Sequence, residues 1–122
     1  MREIKFRYWD KWNEEMIYSD YDLTKFFERV QELFLGENGV EVMQYTGLKA
    51  KHGRDVYEGD LVEYKNFIES GKGVIEFTRG FIVSWYEQKT DRPTLLTPLF
   101  YLGCSEEMEV IGNIYENPEL MK

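Results

Sequence analysis

Apolar and polar positions alternate at the start of the chain, where Ile4, Phe6 and Tyr8 are separated by Lys5 and Arg7. A period of two sends one set of side chains to one face, the pattern of a half-buried strand. The polar stretch from Trp9 to Glu15 then predicts a turn, and Met16-Ile17-Tyr18 a return strand, which together make an N-terminal hairpin. From Asp22 the period lengthens. Leu23, Phe26, Phe27, Val30, Leu33 and Phe34 form one helical stripe, with Lys25, Glu28, Arg29 and Glu32 on the other face. This spacing predicts an amphipathic helix whose Phe-rich stripe is core. Asp20 or Asp22 suits its N-cap, and Gly36 its left-handed C-terminal stop.

After the turn dipeptide Asn38-Gly39 the pattern returns to strands. Val40 to Tyr45 predicts one, and Lys51-His52-Gly53-Arg54 a tight polar turn between Leu48 and Val56. Beyond Glu58-Gly59-Asp60 lie further strand-like segments: Leu61 to Tyr64, Gly73 to Phe77, Phe81 to Tyr86, part of Leu95 to Leu102, and Glu109 to Tyr115. Thr78-Arg79-Gly80 fits a three-residue hairpin loop with Gly80 left-handed. Pro98 cannot donate to a ladder and confines its segment to an edge, and Gly112 predicts a bulge or sharp bend. Short strands joined by turns predict a small closed or partly open barrel. The expected fold class is α+β, mainly β, in a single domain of 122 residues. Aromatic residues make up 16% of the chain, which suits pleated surfaces and a compact core.

Charge narrows the function classes. The net charge is −8, with ten acids against six bases over residues 1–41, six against six over 42–80, and seven against three over 81–122. Such a surface repels phosphate backbones and anionic membranes, so nucleic acid is not an expected partner and a membrane is not either. Cys104 is the single cysteine, so no internal disulfide can form, and a reducing, cytoplasmic setting fits. The N-terminus has no apolar core of signal-peptide length, and no apolar run approaches the length of a membrane span.

Three blocks carry a family resemblance. Arg2 to Arg7 with Trp9-Asp10-Lys11 forms the first. Val42-Met43-Gln44-Tyr45-Thr46-Gly47-Leu48-Lys49, Gly53 and Tyr57-Glu58-Gly59-Asp60-Leu61-Val62 form the second, and Val110 to Leu120 the third. Across nearly the whole chain these resemble the YopX family of phage and prophage proteins. Tyr8 departs from the small residue of that pattern, and Ala50 and His52 from the Asp and Asn of its turn. The resemblance implies an α/β part over residues 1–41 followed by an SH3-type β-barrel over about 42–120. It implies no catalysis.

The residues themselves offer little chemistry. His52 is the lone histidine and sits in a polar turn, where a general base would lack a partner. No phosphate-binding glycine pattern or nucleophile elbow is present. Glu58 and Asp60 could supply part of a hard-cation site, as could Glu106, Glu107 and Glu109. Gly59 turning the chain and Asp60 bonding backbone N–H groups account for the first pair more simply. Lys49, Lys51, His52 and Arg54 beside Tyr45 and Tyr57 form the nearest approach to a nucleic-acid patch. Solvated lysines at a hairpin tip explain it more simply. The candidate interaction or structural-motif residues are Gln44, Tyr45, Thr46, Gly47, Tyr57, Glu58, Gly59 and Asp60. No cofactor and no metal are expected. The expected function is a non-enzymatic protein-interaction or self-assembling module with an unknown protein partner. Two alternatives stay open, an acidic DNA-mimic decoy of a host DNA-binding protein and a nucleic-acid-binding barrel.

Overall fold

The computed structural model describes residues 4–20, 23–34, 41–65, 70–78, 80–89, 96–98 and 108–121. Among these it is mainly β, with nine strands and one α-helix. The chain divides into two compact units, Met1–Tyr45 and Thr46–Lys122.

In the first unit, β1 (Phe6–Asp10) and β2 (Glu15–Tyr18) form the expected antiparallel hairpin, with Tyr8 opposite Ile17. The turn is shorter than the polar stretch suggested. Trp9 and Asp10 belong to β1, because the Asp10 carboxylate itself closes the loop that follows. The first half of β3 (Val42–Lys49) pairs antiparallel with β1 on its other side, placing Phe6 opposite Gln44.

The helix α1 (Leu23–Phe34) forms where the period of the apolar residues predicts it. Phe26 and Val30 are buried against Tyr8, with Phe6, Ile17 and Val42 packed around them. The stripe is narrower than expected. Leu23 and Phe27 are 46% and 42% exposed, so the reading of both as core is corrected. Phe27 lies on the flank of the stripe and keeps edge contacts with Phe6, at 5.4 Å between centroids, and with Phe26, at 5.3 Å. The side chains of Leu33 and Phe34, and the expected caps Asp22 and Gly36, lie outside the described residues, as do the Asn38-Gly39 turn and Cys104.

In the second unit the latter half of β3 adjoins β4 (Asp55–Tyr57), a short strand that the pattern of polar and apolar residues does not announce. A five-stranded antiparallel sheet follows, in the order β8-β7-β6-β5-β9. Its strands are β5 (Asp60–Lys65), β6 (Ser70–Phe77), β7 (Phe81–Lys89), β8 (Leu96–Pro98) and β9 (Met108–Asn113). Pro98 lies on the edge strand, as its missing N–H requires. Phe77 pairs with Phe81 across the expected Thr78–Gly80 hairpin, but the reading of Gly80 as left-handed is corrected, since its φ lies outside that region; Arg79 lies outside the described residues. The core collects Val56, Val62, Ile75, Val83, Met108 and Val110, all buried.

Two register shifts shape this sheet. Leu61 faces Gly112 but Val62 faces Val110, so Ile111 is the extra residue of a bulge where Gly112 predicts one. Lys72 faces Glu87 and Gly73 faces Trp85, leaving Tyr86 as a second extra residue. At Gly73 the strands approach closely. A Cβ there would stand 2.5 Å from Val83 Cγ1 and 2.9 Å from the Ser84 carbonyl oxygen.

Candidate functional site

Six of the eight sequence-derived candidate residues fall at two bends, where backbone chemistry accounts for most of them, while Gln44 and Tyr45 lie in β3 where it runs beside β1. At the first bend Thr46 is buried, and its Oγ1 donates to the Val56 carbonyl at 2.8 Å while accepting from Leu48 N at 3.2 Å. A side chain that takes its own strand's N–H two residues on bends the strand. Gly47 between them has φ of 88°, a value that costs glycine little. Gln44 is half-buried, and Tyr45 is buried, its N–H donating to the Lys5 carbonyl and its ring 4.9 Å from Lys5 Nζ.

The second bend is Tyr57-Glu58-Gly59-Asp60. Asp60 is 2% exposed, and its Oδ2 accepts from Tyr57 N at 2.8 Å across a buried turn. Gly59, at φ of 83°, donates its N–H to Ile75 O and accepts from Ile114 N through its own carbonyl. One glycine thus ties the entry of β5 to β6 and to the end of β9. Tyr57 is buried and Glu58 half-buried. The Thr46–Val56 bond brings the first bend to within one residue of the second. The arrangement shapes the chain, and it assembles no nucleophile with a base.

Asn113, opposite Asp60, is a comparable turn residue that the sequence reading missed. Its Oδ1 accepts from Tyr115 N at 3.0 Å and Glu116 N at 2.8 Å, and its Nδ2 donates to Glu116 Oε1 at 2.9 Å. Asn117 returns the favour, its Oδ1 accepting from Asn113 N at 3.2 Å. A Cβ at Gly112 would lie 2.5 Å from that same Oδ1, so glycine is required by space. The signal was present in the Asn-x-Tyr-Glu spacing, which favours an Asx turn over the continued strand read there.

Asp10 plays the corresponding part at the N-terminal hairpin. Its Oδ1 accepts from Trp12 N at 3.0 Å and Asn13 N at 3.2 Å, and its Oδ2 from Asn13 Nδ2 at 2.9 Å. The bonds from Asn13 above all, then that from Trp12, hold the carboxyl below the usual carboxylate range. A depressed pKa means that the stabilisation is complete above the ordinary Asp value near 3.9 and lost as pH falls from there through the folded value. Acid denaturation of wild type and Asp10→Asn is expected to show a gap in stability that closes below about pH 4. Trp12, at the tip of this loop, is 73% exposed. At Tyr8, beneath α1, burial raises the phenol pKa, with Arg29 opposing it.

The basic turn is a single 3-10 turn, Lys51–Gly53, with His52 exposed at φ of 66°. Lys49 Nζ lies 2.6 Å from Asp55 Oδ1, and Lys51 Nζ lies 3.9 Å from Glu109 Oε2. An L-residue held left-handed is strained by about 1–2 kcal/mol, less where a side chain such as Asn tolerates it. His52→Asn or His52→Gly is therefore expected to stabilise the protein by up to about 1 kcal/mol, measured by urea denaturation. Glu106 and Glu107 lie outside the described residues. Among the described residues no group of three or more His, Cys, Asp or Glu is placed to hold a metal ion, and no helix is long and apolar enough to cross a membrane.

The family model described as YopX protein matches residues 5–122, which takes in both bends, the hairpin and the Asn113 turn. The chain belongs to the YopX family. No curated protein matches it. Among solved structures, the crystal structure of protein EF1440 from Enterococcus faecalis is similar at 24% identity, covering 100% of both chains with a TM-score of 0.60. That likeness shows a shared fold. In this YopX chain the blocks that carry the resemblance contain the turn-forming side chains Asp10, Thr46, Asp60 and Asn113, and the glycines that those turns need.

Proposed function

We propose that this YopX chain is a non-enzymatic phage or prophage accessory protein that works in the host cytoplasm through protein contacts, self-assembly among them. The second unit is read as an SH3-type barrel, a class in which the scaffold is rigid and binding is carried by its surface. The observation that carries the proposal is Trp12. It is the most exposed large apolar side chain among those described, and it stands on a loop pinned by three bonds to one carboxylate. Tryptophan is enriched at the energetic centres of protein interfaces, and a loop already ordered loses little entropy on docking. Affinity capture from phage-infected cells, with sedimentation of the purified protein, tests this. Trp12→Ala should leave folding unchanged and weaken partner capture or self-association at least about tenfold, a hot-spot loss of about 1.4 kcal/mol or more. An unchanged captured set and unchanged mass would overturn it.

The nucleic-acid reading is weakened by the acids beside the basic turn, Asp55 at Lys49 and Glu109 at Lys51. Fluorescence anisotropy near 0.15 M salt is expected to detect no DNA or RNA binding tighter than about 10 µM. The DNA-mimic reading draws on the net charge of −8. Its test is a host protein captured by this chain and released by duplex DNA.

A further inference from the structure

We draw no further inference here: the strongest candidate, the exposed apolar flank of the first unit's helix at Leu23 and Phe27, is a helix face for which nothing in the structure shows what covers it.

Discussion

Phe26→Ala is expected to cost about 3–5 kcal/mol, while Phe27→Ala, one residue along, costs about 1 kcal/mol. The two rings differ in what surrounds them. Phe26 is 5% exposed and lies 5.3 Å from the Tyr8 ring, so truncation opens a cavity between α1 and its sheet. Phe27 is 42% exposed and contributes edge contacts to Phe6 and Phe26, which are worth little beyond the area they cover. Urea denaturation of the two variants reads the difference directly. Equal losses above about 3 kcal/mol would mean that both rings are enclosed.

The second large effect is expected at the bend before β5. Asp60→Ala removes the acceptor for Tyr57 N inside a turn where water cannot replace it. Hydrogen bonds to a charged partner are worth about 1.5–3 kcal/mol, and the orphaned donor adds its own desolvation cost. Asp60→Asn keeps an acceptor oxygen and should lose less. Calorimetric titration of chelator-treated protein with Mg²⁺, Mn²⁺ and Ca²⁺ separates this structural role from metal binding. No site tighter than about millimolar is expected, and a micromolar site abolished by Asp60→Asn would show that the carboxylate serves a cation instead.

Much of the fold could be read in the chain because its elements are simple periodic patterns. The Leu23-to-Phe34 spacing located α1, and the segments around Val62, Ile75, Val83 and Val110 located the core strands. Periodicity gives the direction of a stripe and not its width, which is why Phe27 looked as interior as Phe26. The strand β4 escaped because three residues are too few to establish an alternation. Asp10 was assigned to a turn because its polarity was visible and its hydrogen bonds were not. The bends at Gly59 and Gly112 were anticipated from glycine, which supplies a left-handed φ at the first and room for the Asn117 side chain at the second. The turn read over Trp9 to Glu15 placed Trp12 in a loop, but how far its ring stands in solvent depends on what folds over it.

The backbone at Gly112 is one that other residues could adopt, yet the space beside it belongs to Asn117. The identity of one position is therefore dictated by a side chain five places further on, and neither can change alone. A methyl group at 112 would evict the Asn117 amide and strip Asn113 N of its acceptor. The two sites are therefore physically coupled, and the effects of substitutions at them are not expected to add. A Cβ at 112 would also stand 2.9 Å from the Asn117 Cβ, so removing the amide alone does not make room for a larger residue.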